Sequence, residues 1–303
     1  MENVVDFHGR GPSYTPGHEE IEIALMRLHG IDPGKGEYLH LARQFLDQRG
    51  GQPFFGLSLL GQLVSSAKRG KLVRQKNQAV LASNPGIKTH EVPPGNPYKK
   101  PFNTYFRWLA SALSGKYFQQ HAPLKSQKVP VGHAVRFVYL QTAQAMLATI
   151  EKDESLFHSS EQIWEHMVER RMYVTGGIGS LPGLEGFGRD YELDPEYAYA
   201  ETCAALGSLF WNHEMLELGG GAKYSQLFEW QMYNAALVGM GVDGNGYFYN
   251  NPLTCRSEME RKPWYSVPCC PSNLSRTWAN LARYIYSSHP GELHIHQYIG
   301  CSF

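Results

Sequence analysis

The sequence predicts a mainly α fold, a toroid of helical hairpins with long loops, and the start of a β-region at the C-terminus. Three observations predict it. Apolar residues recur at helical spacing in one stretch after another. The connections between them are long and rich in Gly, Pro and aromatic side chains, which argues for pocket walls rather than disorder. Only the tail alternates as a strand does. The 303 residues and 42% hydrophobic content supply a sizeable core.

Taken in order, "EEIEIALMRLHG" (19–30) sets Ile21, Leu25, Met26 and Leu28 near one face. "EYLHLARQFLDQRGG" repeats the pattern with Tyr38, Leu41, Phe45 and Leu46 before a glycine stop, which predicts an antiparallel hairpin. Further helices are expected over 54–67, 103–118, 132–152, 160–172, 198–218, 224–240 and 273–288. Residues 78–102, rich in Pro, Asn and Gly, read as an inserted loop or a boundary. Two long loops rich in Gly, Pro and aromatics are "TGGIGSLPGLEGFGRDYELDPEY" (175–197) and the stretch 242–273. In the tail, "ELHIHQYIGCSF" opposes Leu293, Ile295 and Ile299 to polar neighbours.

Lys plus Arg equals Asp plus Glu at 28 each, so no net field draws the chain to nucleic acid or to an anionic membrane. "KRGKLVRQK" (68–76) reads as a solvated helix face or loop and is assigned no function. No stretch resembles a signal peptide or an apolar span, and the expected location is cytoplasmic.

The chemistry gathers around cysteine. The chain has five, at 203, 255, 269, 270 and 301, an odd and clustered set that suits metal or catalytic use better than a disulfide framework. Cys269 and Cys270 are adjacent, and neighbours on a trans peptide rarely reach disulfide geometry. Glu201 and Cys203 are two apart, so they share a side of an extended segment but diverge on a regular helix. From an irregular first turn both reach one ion, and with the cysteine pair they make a tetrahedral set suited to zinc. The spacing matches no zinc finger. Two readings therefore stay open on these residues alone, ligands or small hydrophobes packed in a core.

Five stretches, "GHEEIEIALMRLHG", "QQHAPLKSQKVPVGHAVRFVYL", "MYVTGGIGS", "EGFGRDYELDPEYAYAETCAALG" and "CCPSNLSR", together resemble glycoside hydrolase family 127, the β-L-arabinofuranosidases. The resemblance spans nearly the whole chain in order and spacing. It implies a partial (α/α)6 catalytic barrel over residues 1–288 and the start of a truncated β-sandwich domain over 289–303. It further implies a retaining hydrolase that removes terminal β-L-arabinofuranose, with Glu201, Cys203, Cys269 and Cys270 holding Zn2+. On this resemblance Cys269 is the nucleophile and Glu185 the general acid/base. His133, Thr202, Glu229 and Tyr249 match positions that contact the sugar.

Without the resemblance each of these has a plain reading. Glu185 is a solvated loop carboxylate, His133 a packing residue at a helix start, Glu229 a surface charge, and Tyr249 one of several packed loop aromatics. Arg276 and Asn273 are expected either to orient the thiolates or, for Ser272 or Asn273, to cap a helix beginning there; a cap is preferred for one of them. Cys255 and Cys301 are expected to pack.

The family's barrel begins before "PGHEEIE" and continues into β-domains after the tail. The expected accounts are a fragment, a truncated paralogue, or a chain that completes its barrel as a homo-oligomer. The rival to an enzyme is an inactive form with a structural zinc site and a residual sugar pocket. A third reading, a sugar epimerase on a related toroid, needs histidine acid/base pairs, and the thiolates count against it.

Overall fold

A computed structural model of the chain describes residues 15–52, 104–254 and 259–300, with residues 55–56, 59, 71, 75–76 and 78–86 between them. The fold is a succession of helices: α1 Glu20–Ile31, α2 Gly36–Gln48, α3 Thr104–Leu113, α4 Ala134–Glu151, α5 Glu154–Arg170, α6 Thr202–Gly219, α7 Ala222–Gln231 and α8 Cys269–Ala279. Strands β1 Tyr286–His289 and β2 Glu292–Ile295 form an antiparallel hairpin pairing Tyr286 with Ile295.

The α1–α2 hairpin forms where the apolar spacing places it. Leu25, Met26, Leu41, Phe45 and Leu46 are buried together against α4. Its closure is electrostatic as well as apolar. Arg49, just after α2, donates from its two terminal nitrogens to Glu19 (2.9 Å) and Glu22 (2.7 Å), all three side chains being withdrawn from solvent. Buried charges need this pairing to be tolerated at all.

Helices α4 and α6 form the centre, packed on each other more extensively than any other pair of elements among the described residues. Both are buried on nearly every face, which is why α6 carries almost no amphipathic pattern. Gly207 permits the close approach: a Cβ there would lie 2.4 Å from Val138 Cγ2. Polar groups inside are paired in a string. Trp211 Nε1 donates to Ser160, Trp164 Nε1 to Asn212, and Asn212 Nδ2 to Gln231, whose own amide donates to Gly176 O. This string ties α5, α6 and α7 to the loop that carries the site.

Several expected elements are corrected. The stretch 224–240 is not one helix: α7 ends at Gln231, then a π turn covers Met232–Ala236 and a 3-10 turn Leu237–Gly239. The helix expected over 198–218 starts only at Thr202. The final helix starts earlier than expected, at Cys269, and ends at Ala279, with a 3-10 turn Leu281–Tyr284 before β1. Residues 78–83 are helical rather than loop. Most of 54–67, residues 87–102, Cys255 and Cys301 lie outside the described residues. Among the described residues no helix is long and apolar enough to cross a membrane.

Candidate active site and metal centre

Two loop systems meet at the N-terminal ends of α6 and α8. Residue Glu201 is extended (φ −61°, ψ 136°) and stands as the N-cap position of α6, with Cys203 inside the first turn. The irregular first turn is what lets side chains two residues apart converge. Opposite Glu201 lies Asn250, the two forming an isolated β-bridge, and Thr202 N donates to Tyr249 O (2.9 Å). Cys269 and Cys270 come from the first turn of α8 rather than from a loop.

The Sγ atoms of Cys203 and Cys270 are 3.3 Å apart, and those of Cys269 and Cys270 3.9 Å. Glu201 Oε1 lies 3.8 Å from Cys269 Sγ and 3.7 Å from Cys270 Sγ. Zinc bonded tetrahedrally at about 2.3 Å to sulfur and 2.0 Å to oxygen requires S···S near 3.8 Å and S···O near 3.5 Å. The S···S distances bracket the first value, and the S···O distances lie 0.2–0.3 Å above the second. Glu201 Oε2 is buried and has no hydrogen-bond partner, an open valence that a cation would fill. The donor set and its spacing fit zinc.

The four groups differ in their electrostatics. Burial pushes the Cys203 and Cys270 thiols well above their usual range, and burial, then the Cys269 charge, does the same to Glu201. Cys269 is different. Hydrogen bonds from the Cys203 and Cys270 thiols, joined by the Tyr249 hydroxyl, hold its sulfur down to about 3 against burial that opposes them.

Tyr249 is buried, its hydroxyl 3.0 Å from Cys269 Sγ and its ring edge-on to Tyr265. Across the site, Glu185 follows the 3-10 turn Pro182–Leu184 in a left-handed conformation (φ 47°). Its Oε2 is 3.1 Å from His133 Nε2. His133 Nδ1 meanwhile accepts from Val135 N (3.2 Å) and caps α4. The capping role and the active-site role are therefore one arrangement, since the cap aims Nε2 at the carboxylate. Ligand atoms of His133, Glu185 and Glu201 lie within 4.8 Å of one another, so the thiolate cluster and the acid group meet on Glu201.

Not every sequence-derived residue joins them. Thr202 is fully buried; its hydroxyl donates to Phe248 O and accepts from Asn251 Nδ2, which fastens the loop. Glu229 is half-buried in α7 and belongs to neither ligand group. The expected cap at Ser272 or Asn273 is corrected: Pro268 precedes the helix, and the Ser272 hydroxyl donates back to Pro268 O (2.7 Å). Asn273 instead reaches Cys203. Sequence reasoning also missed His18, whose ring lies edge-on to His133 with centroids 6.2 Å apart and 5.7 Å from the Tyr139 ring. In the sequence it shows only as a residue before a helix.

The mostly helical chain has known relatives. The family described as β-L-arabinofuranosidase, GH127 catalytic domain, matches residues 6–283, and the chain belongs to it. A curated non-reducing end β-L-arabinofuranosidase from Bifidobacterium longum subsp. longum is 31% identical over 296 residues, covering 93% of this chain and 39% of the relative. Among solved structures, a GH127 β-L-arabinofuranosidase from Geobacillus stearothermophilus T6 matches with TM-score 0.75 and 35% identity, over 98% of this chain and 43% of that one. Another GH127 β-arabinofuranosidase matches with TM-score 0.72 and 32% identity, over 95% and 37%. The chain thus spans less than half the length of these relatives.

Proposed function

We propose that the chain carries the catalytic centre of a retaining glycoside hydrolase that removes terminal β-L-arabinofuranose, with Cys269 as nucleophile and Glu185 as general acid/base. The observation that carries this reading is the thiolate cluster on one side of Glu201 and the Glu185–His133 pair on the other. Glu201, Cys203, Cys269 and Cys270 would hold zinc. Bound there, zinc would keep the coordinated thiols deprotonated and temper the basicity of sulfur, so that it also leaves well.

The chain's own residues divide the work. Cys269 sulfur attacks the anomeric carbon as the bond to the departing oxygen breaks, and Glu185 gives that oxygen its proton. The sugar is then held as a thioglycoside. Ionised Glu185 next takes a proton from water, whose oxygen displaces sulfur from the same carbon, and two inversions give net retention. His133 fixes the Glu185 carboxylate through both steps. The Tyr249 hydroxyl holds the sulfur in line, and Glu229 is assigned to the sugar hydroxyls. Residues 1–288 are proposed as part of the barrel and 289–303 as the beginning of a β-domain.

The test is hydrolysis of an aryl β-L-arabinofuranoside by the purified chain beside Cys269→Ser. Loss of turnover by at least about 10⁴-fold in the variant is expected for a missing nucleophile. Equal turnover by both proteins would remove Cys269 from the mechanism.

A further inference from the structure

Behind the cluster runs a line of polar side chains that the reaction does not use. Asn273 stands four residues after Cys269 on α8, hence on the same helical face. Its amide nitrogen lies 3.0 Å from Cys203 Sγ and 3.0 Å from the Tyr139 hydroxyl. One NH2 group carries two protons, so both contacts are satisfied at once. A metal-bound thiolate accepts only, which fixes this face of the amide toward the sulfur.

Tyr139, on α4, is buried and accepts a second hydrogen bond, from Arg276 (3.0 Å). The Arg276 guanidinium lies over the Tyr139 and Phe210 rings and pairs with Glu20 at the start of α1. Glu20, Tyr139 and Arg276 line a cavity of about 430 Å³ between α1 and α8. The line therefore leads from that cavity to a buried sulfur, through side chains of α1, α8 and α4 to Cys203 on α6.

We propose that Asn273 is a positioning residue for the metal ligand Cys203, and that Tyr139, braced by Arg276 and Glu20, holds the Asn273 amide in its donating orientation. The proposal rests on the reading of the four-residue cluster as a zinc site. Three thiolates and a carboxylate around a divalent ion leave a net charge of −2. An N–H aimed at one sulfur offsets part of that excess without adding a cation. Because Asn273 makes no contact with the reacting atoms, its effect passes through the ligand.

The experiment titrates the metal-free 303-residue chain with Co2+, following the thiolate-to-cobalt charge-transfer absorption, and measures Zn2+ affinity by chelator competition. Wild type, Asn273→Ala, Asn273→Asp, Tyr139→Phe and the Asn273→Ala/Tyr139→Phe double variant are compared. Loss of Asn273 is expected to weaken metal binding 10–100-fold and to move the absorption to longer wavelength, since an unbonded sulfur gives up its electrons more easily. Asn273→Asp keeps the shape and removes the donor, so it should bind no better than the alanine variant. Tyr139→Phe should lose part of the affinity alone and none further in the double variant.

Wild-type binding with both Asn273 variants within threefold of it would overturn the proposal while leaving the zinc reading standing. An equal Tyr139→Phe loss with and without Asn273 would overturn the relay. Absence of any cobalt absorption in wild type would overturn the zinc reading itself, and this proposal with it. Should the alanine variant fail to fold, Asn273→Asp and Tyr139→Phe, which barely alter packing volume, decide the question.

Discussion

Gly186, directly after the proposed acid Glu185, shows how closely the site is fitted. A Cβ at this position would lie 2.0 Å from Gly132 O, 2.7 Å from Gly132 C and 3.1 Å from His133 Cα. A close C···O contact is about 3.3 Å, so Gly186→Ala must drive the two segments apart by more than about 1 Å. All three contacts are backbone, and no rotamer change relieves them. The segments are otherwise pinned by Ala134 N donating to Glu185 O and Phe187 N donating to Gly132 O, each 3.0 Å. Overpacking costs about 1–3 kcal/mol, and weakening both bonds adds about 1 kcal/mol each, so destabilisation of about 3–5 kcal/mol is expected. The His133–Glu185 contact of 3.1 Å opens by the same displacement, and misplacement of about 1 Å costs about 10²-fold in kcat/KM. The assay is thermal unfolding together with hydrolysis of an aryl β-L-arabinofuranoside. Gly30→Ala, where an added Cβ meets nothing within 4 Å, is the control and should be neutral or slightly stabilising. A Gly186→Ala protein with unchanged melting and kcat/KM within threefold of wild type would refute the reasoning.

Removing the cation of Arg49 by Arg49→Met strands two buried carboxylates, and a loss of about 3–5 kcal/mol is expected by urea unfolding; a loss under 1 kcal/mol would show the pair to be solvated. His213 is buried, and its ring is held down from 6.5 to about 3 by burial, then by Arg283 and Arg27. The folded state therefore prefers the neutral ring, and this stabilisation is complete above pH 6.5 and lost as pH falls toward 3. His213→Asn should flatten the acid limb of stability by about 1.4 kcal/mol per pH unit below pH 6, and parallel wild-type and variant curves would contradict it. Chelation of zinc from the proposed site should lower the melting temperature and raise thiol alkylation; melting and alkylation indifferent to chelator would count against a metal there.

The helices were legible where one face is apolar, as in α1 and α2, and the cysteine cluster was legible once its surroundings resembled a family. What escaped has physical reasons. Ser272 looks like a cap, but the helix has already begun, because Pro271 sits in a first turn whose amides need no intrahelical partner. Its hydroxyl turns back to Pro268 instead. The stretch after Gln231 keeps an apolar period, yet its Asn234 amide donates to Trp230 O and the turn widens to π geometry, a change that periodicity does not register. The nearness of His18 and Tyr139 to the site comes from the packing of α1 on α4, which sequence spacing does not register.

Two of the five described non-glycine residues with positive φ border the site. Glu185 (φ 47°) and Ala200 (φ 41°) hold left-handed conformations without being glycine, at a cost of about 1–3 kcal/mol each. Neither is a free turn. Ala200 N donates to Gly179 O, and its carbonyl accepts from the Asn251 backbone and side chain, so the loops on both sides impose the conformation. Ala200 is where the chain turns before Glu201 enters α6, and Glu185 is where it turns before the bridge to His133. Each bend aims a carboxylate, one toward the sulfurs and the other toward Glu201. Strain at Glu185 and at the residue before Glu201, held by hydrogen bonds from neighbouring loops, accords with the proposed catalytic reading.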